Sequence, residues 1–184
     1  YAATKKSNEL MAHTYSHLYK IPATGLRFFT VYGPMGRPDM AYFAFTNKYF
    51  KGEPIRIFNN GDFENDLYRD FTYIDDVIEG VVRLLNNPPV ETKDCAAHRV
   101  FNIGNNTPEK LMTFIEALEK ALSKALGREV IFEKIYEPIQ PGDVPATYAA
   151  TDLLEEAVCF KPKTSIEEGL QKFADWYMEY YGVR

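Results

Sequence analysis

The 184-residue sequence contains two cysteines, one tryptophan and three histidines, and each scarcity removes a class of protein. Cys95 and Cys159 lie far apart in the chain; two cysteines make no disulfide framework, and a reducing compartment is the simpler setting. No apolar run approaches ~18 residues, so no membrane span is expected. Lys and Arg number 21 against 26 Asp and Glu, a net charge of −5. That balance lacks the basic excess of a nucleic-acid or anionic-membrane binder, and a cytoplasmic location is expected. His13 and His17 are four residues apart, a metal-ligand spacing, but no acidic or cysteine partner is apparent. Cys95-Ala-Ala-His98 has no second pair. No metal site is expected. Repeats and low-complexity linkers are missing, the glycines are scattered singly, and no G-x-G-x-x-G or G-x-x-G-x-x-G occurs.

What is present is an alternation of helical and strand patterns long enough to bury a sizeable core in one or two domains. The spacing predicts a helix over 2–20, with Leu10, Met11, Tyr15, Leu18 and Tyr19 as its apolar stripe. A strand over 26–30, a helix over 39–51 and a short strand over 55–58 follow. Next come a strand at 71–73, a helix to Leu85 capped by Asp75 or Asp76, and a strand over 100–103. Thr107-Pro108 reads as a cap and first-turn proline before a helix ending near Gly127. A strand is expected at 130–132, and Ser165-Ile-Glu-Glu168 reads as a capping box. Asp62 to Leu67 reads as a solvated acidic loop.

Tyr1 and Lys5 are four apart at the start of the first helix, hence on one face about 5–6 Å apart. An ammonium beside a phenol favours the phenolate, one route to a usable base. Four further stretches accompany the pair: Gly36-Arg37-Pro38-Asp39-Met40-Ala41, Ile57-Phe58-Asn59-Asn60-Gly61, Arg69-Asp70-Phe71-Thr72-Tyr73-Ile74-Asp75-Asp76 and Gln140-Pro141-Gly142-Asp143-Val144. Together with residues 1–37 they resemble the extended short-chain dehydrogenase/reductase superfamily. Within it the chain is most similar to the nucleotide-sugar epimerases of the UDP-glucuronate 4-epimerase type.

The resemblance implies an α/β fold, the C-terminal part of a Rossmann-like enzyme with a small mixed α/β substrate-binding domain. Residues 1–35 would end the dinucleotide-binding half, and 36–184 would mainly bind the nucleotide sugar, with about 70–103 returning to the Rossmann core. Because the glycine-rich turn is absent, the chain is expected to be part of a longer protein and inactive alone. It implies NAD as cofactor, with Tyr1, Lys5 and Phe28 touching it. Tyr1 would be the acid/base, and Lys5 would hold the nicotinamide ribose. Phe29, Thr30, Arg37, Arg56, Phe58, Arg69 and Asp143 would bind the UDP-sugar. Thr30 stands where galactose-type epimerases carry Asn, which suggests a sugar with a C6 carboxylate. Arg37 would meet an anionic group, Phe58 the uracil, Arg69 the diphosphate and Asp143 a ribose hydroxyl.

The implied reaction oxidises C4 to a ketone, turns the keto sugar over, and returns hydride to the other face. A homodimer through the first helix and a role in surface-polysaccharide synthesis are the family's usual setting. Gln140 and Ala150 depart from relatives that carry Arg and Asp there, and neither is given a role. Alternatives are a UDP-glucuronate decarboxylase, a nucleotide-sugar 4,6-dehydratase, a non-catalytic NAD-binding protein, or a poorly folding piece with an open sheet edge.

Overall fold

A computed structural model describes residues 1–62, 64 and 66–183. The first expected helix forms as α1 (Ala2–Tyr19), followed by β1 (Ala23–Phe28) and β2 (Thr30–Tyr32). β1 and β2 are two arms of one path that breaks at Phe29. Then come α2 (Ala41–Lys51), β3 (Ile55–Ile57), β4 (Tyr68–Tyr73), α3 (Ile74–Leu85), β5 (His98–Ile103), β6 (Pro108–Lys110), α4 (Leu111–Leu126), β7 (Lys134–Tyr136), α5 (Asp152–Val158) and α6 (Ile166–Tyr181). β1 pairs in parallel with β5, with Ala23 opposite His98 and Phe28 opposite Ile103. β4 joins β2 in parallel and β6 antiparallel, and β3 pairs with β7 in parallel. Among the described residues no helix is long and apolar enough to cross a membrane.

Two apolar cores hold these elements. The larger is built from helical stripes: Phe114, Ile115, Leu118, Ala121 and Leu122 on α4 face Ile166, Leu170, Phe173, Ala174 and Tyr177 on α6. Their spacing of three and four residues is what an amphipathic helix requires. Phe71 stacks on Phe114 at 3.7 Å between centroids, and the edge of Tyr32 meets Phe114 at 5.5 Å. The smaller core gathers Val77 and Leu84 of α3, Phe101 and Ile103 of β5, and Leu154 and Val158 of α5, with Leu26 and Val31 packed against it. Arg83 crosses its rim, donating to the Val158 and Cys159 carbonyls that end α5.

Several local expectations are corrected. Pro108 opens a strand, not a helix; α4 begins at Leu111. The Met112 amide donates to Asp66 Oδ2 at 2.8 Å. Asp66 is therefore not part of a solvated loop: it is buried and also accepts from Asn59 Nδ2 and the Leu67 amide. Residues 63 and 65 of that loop lie outside the described residues. Asp75 and Asp76 sit within the first turn of α3 and do not cap it; Tyr73 occupies the cap position. Asp76 Oδ2 instead accepts from the Lys163 and Thr164 amides. Val130 and Phe132 are buried but not in a strand, which starts at Lys134. The Ser165 cap forms as expected, its Oγ accepting from Glu168 N at 3.2 Å.

Candidate active site

Tyr1 stands at the N-cap of α1, its carbonyl accepting from the Lys5 amide at 3.0 Å and from Thr4 Oγ1 at 2.7 Å. Those bonds use its backbone and leave its side chain in the open, 92% exposed. Lys5 Nζ lies over the Tyr1 ring, 5.5 Å from its centroid, as the four-residue spacing requires. Lys5 takes no carboxylate partner among the described residues.

Two clefts meet at Tyr1. One, of about 550 Å³, runs along α1 and β1 and is lined by Tyr1, Lys5, Glu9, Gly25, Phe28 and His98, among others. The other, of about 760 Å³, opens beyond the carboxyl end of β1 and is lined by Tyr1, Phe28, Phe29, Met35, Arg37 and Tyr42, among others. Ligands of open α/β sheets collect at that end of the strands. Phe28 lines both clefts, half exposed, so an apolar ring is offered to whatever bridges them.

The second cleft is walled by a loop fixed from below. Gly33 has a φ of 141°, and a Cβ there would lie 2.6 Å from Ile74 Cγ2, so the turn has room only for glycine. Tyr42 donates its hydroxyl to the Gly33 carbonyl at 3.1 Å, and Tyr32 donates to the Ser165 carbonyl at 3.0 Å. Burial pushes both phenols up, Tyr32 most, which disfavours the phenolate that a base would need. Arg37 reaches back to Asp39 with Nε at 3.1 Å and Nη2 at 2.6 Å. This bidentate bond holds the Asp39 carboxyl below the ordinary carboxylate range.

The helix carrying Tyr1 is tied to β1 by charge. Arg27 Nε and Nη2 bond the two oxygens of Glu9 at 2.6 and 2.8 Å. Arg27 first, and Lys6 second, draw the Glu9 carboxyl down to about 2. Further along the seam the His13 and His98 rings meet edge to face at 5.3 Å, and Ser16 Oγ and His98 Nε2 are buried without a hydrogen-bond partner among the described residues. Burial, then His13, lowers the His98 value. No group of three or more metal-ligating side chains occurs among the described residues.

The expected site residues fall into two groups. Tyr1, Lys5, Phe28, Phe29 and Arg37 line the two clefts, and Thr30 is next to them on β2, its backbone opposite Phe71. Arg56, Phe58, Arg69 and Asp143 line neither. They follow the chain from β3 to the 137–145 segment. Arg56 faces Glu137 at 3.3 Å, and Phe58 is half-buried just past β3. Arg69 Nη1 donates to the Tyr68 and Val144 carbonyls at 2.8 Å, and Asp143 is exposed. Sequence reading passed over Tyr32, Met35 and Tyr42; the only signal was their place around Gly33-Pro34-Met35-Gly36, a turn that must expose something. It also passed over Glu9, whose role shows only once β1 lies against α1.

Comparison with known proteins finds three kinds of likeness. The model of the NAD dependent epimerase/dehydratase family matches residues 1–104. Among curated proteins, Protein CapI of Staphylococcus aureus is 51% identical, over 98% of this chain and 54% of its own length. A Probable UDP-glucuronate 4-epimerase of Rhizobium meliloti is 50% identical, over 98% of this chain and 54% of its own. The chain thus spans about half the length of the curated relatives it matches. The crystal structure of UDP-glucuronic acid 4-epimerase from Bacillus cereus, in complex with UDP-glucuronic acid and NAD, superposes with a TM-score of 0.76. It is 31% identical, over 97% of this chain and 52% of that one.

Proposed function

The chain belongs to the NAD dependent epimerase/dehydratase family, and from that membership we propose that it forms part of an enzyme interconverting UDP-glucuronate and UDP-galacturonate at C4. The observation that carries the reading is the meeting of two clefts at an exposed phenol with an ammonium 5.5 Å from its ring. The names of the Rhizobium relative and the Bacillus cereus structure support the choice of sugar.

The residues present fit the nicotinamide end of NAD. Lys5 donates without a competing carboxylate among the described residues, and Phe28 offers a half-exposed ring where the clefts join. NAD, when bound, supplies the acceptor and donor of a hydride. Tyr1 takes the proton of the sugar 4-hydroxyl and returns it, and the Lys5 ammonium stabilises the charge on the phenol oxygen between those steps. Phe29 and Thr30 face the sugar. Arg37 already holds a carboxylate, that of Asp39, in the bidentate geometry a uronate or phosphate would take. Phe58 packs on the base, Arg69 binds the diphosphate and Asp143 accepts from the ribose. An epimerase of this kind anchors UDP firmly and leaves the sugar free to turn. It must also hold the C6 carboxylate away from the geometry in which a 4-keto uronate loses CO₂.

The domain arrangement proposed has residues 1–35 and about 70–103 in one unit and the rest mainly in a nucleotide-sugar unit. In support, Leu26 and Val31 pack on the core formed by Val77, Phe101 and Ile103. A homodimer through the outer face of α1, with Met11 and Leu18, completes the reading; both side chains are more than half exposed.

The test is to express the whole gene product carrying this chain, supply UDP-glucuronate and NAD, and separate the sugars. UDP-galacturonate without CO₂ is the expected product. A UDP-pentose with CO₂ would make the protein a decarboxylase, and a 4-keto-6-deoxy sugar from a UDP- or dTDP-hexose would make it a dehydratase.

A further inference from the structure

Asp70 lies on β4 with no exposed surface and no cationic side chain as its partner among the described residues. A carboxylate buried in that way must be satisfied by hydrogen bonds. Its Oδ1 accepts from the Asn105 amide at 2.8 Å and its Oδ2 from the Asn106 amide at 2.9 Å. The same Oδ2 accepts from the Ala149 amide at 2.8 Å, and Thr72 Oγ1 approaches Oδ1 at 3.4 Å. One side chain thus joins the turn after β5 to a segment more than forty residues further on. The joint is closed: a Cβ on Gly104 would lie 2.4 Å from Ala149 Cβ and 3.0 Å from Asp70 Oδ2.

The two residues before Asp70 hold the same distant segment. The Tyr68 amide donates to the Pro145 carbonyl at 2.9 Å, and the Thr147 amide donates to the Tyr68 carbonyl at 3.2 Å. Arg69 Nη1 bonds the Val144 carbonyl, and its Nε and Nη2 take no acceptor among the described residues. Side chains alternate along a strand, so Arg69 and Asp70 leave β4 on opposite sides. Three consecutive residues of one strand therefore grip residues 144–149, with Asp70 fixing the far end. Asp143 is the residue just before the gripped stretch.

We propose that Asp70 is a positioning residue for the nucleotide: by anchoring Ala149 it sets the path of residues 143–149, and thereby the aim of Arg69 and Asp143. The proposal rests on the reading of Arg69 as the diphosphate contact. Without the Ala149 anchor the far end of the segment is held more weakly, with the bond from Asn102 Nδ2 to the Ala150 carbonyl at 3.0 Å remaining. The Val144 carbonyl that steers the guanidinium then shifts, while Tyr1 and Lys5, on a different element, do not.

The experiment is titration of UDP into the whole gene product, wild type against Asp70→Asn and Arg69→Met, with kcat measured at saturating UDP-sugar. The amide of Asn puts an NH₂ group against at least one backbone donor. The dissociation constant for UDP is expected to rise about tenfold, with kcat within about twofold of wild type. A defect confined to folding would lower the active fraction, and so kcat, without moving the dissociation constant; that result overturns the proposal. If Arg69→Met weakens UDP binding and Asp70→Asn does not, the diphosphate reading stands and the proposal alone falls. If Arg69→Met leaves binding unchanged, both fall. Should Asp70→Asn not fold, Thr72→Val removes one neighbour of the carboxylate and the hydroxyl that faces the Asn105 amide at 3.1 Å. It is expected to raise the dissociation constant about twofold to threefold, and an unchanged value overturns the proposal.

Discussion

α1 and α6 are helices of similar length, 18 and 16 residues, and they live in opposite environments. α6 buries Ile166, Gly169, Leu170, Phe173, Ala174 and Tyr177. α1 buries only Ser16, and Leu10, Met11, Tyr15, Leu18 and Tyr19 are each more than half exposed. Apolar burial holds α6; an ion pair between Glu9 and Arg27 and a histidine seam hold α1. Exposed ion pairs contribute about 0–1 kcal/mol, whereas one fully buried aromatic or aliphatic side chain contributes about 1.5–3 kcal/mol. The fold's stability and the candidate chemistry therefore sit in different places, and substitutions should separate them.

The largest expected effect is in the α4–α6 core. Phe114→Ala removes a ring with no exposed surface that stacks on Phe71 and meets Tyr32. It should cost about 3–5 kcal/mol in urea unfolding, enough to unfold a marginal protein. A cost below about 1 kcal/mol would mean the two regions do not differ as described.

A smaller effect is expected at the α1–β5 seam. Burial and His13 lower the folded value of His98 below its ordinary 6.5. The neutral ring is the form that fits, so the seam's stability is present above about pH 6.5 and declines as pH falls below that toward the lowered value. His13 and Glu9 face the ring from α1, Glu9 opposing the shift. Thermal melts from pH 7.5 to 5.5 should show a fall that His98→Gln flattens; an equal fall in the variant would remove His98 from the account.

The smallest effect is expected on the outer face of α1. Leu18→Glu should leave the melting of this chain within about 0.5 kcal/mol, since little is buried there. In the whole gene product the same change should shift sedimentation from dimer to monomer if that face is the proposed contact. An unchanged dimer would place the interface elsewhere.

How much of this was legible in the sequence follows the same division. The helices of the larger core were readable from their boundaries, Gly127 at the end of α4 and Ser165 at the start of α6, because capping is local. The apolar stripe of α1 was equally visible, yet it faces outward, since periodicity tells which residues share a face and not what covers it. Tyr1 and Lys5 were readable as a pair because four residues on a helix fix their separation. Arg37 was assigned to an anionic group of the substrate, whereas the structure pairs it with Asp39, two residues away. Asp66 and Asp70 were misread or passed over because their donors, Met112 and Ala149, are 46 and 79 residues away. Pro108 was misread for a similar reason: only the pairing with Asp70 makes it a strand residue.

The most direct measurement is Tyr1→Phe in the whole gene product, with turnover of UDP-glucuronate, UDP affinity and melting read from one preparation. Loss of one hydroxyl from a side chain 92% exposed should leave affinity and melting as they were. Turnover should fall at least about 100-fold. Turnover within a few-fold of wild type would contradict the account, because the proton would then be moving through another group.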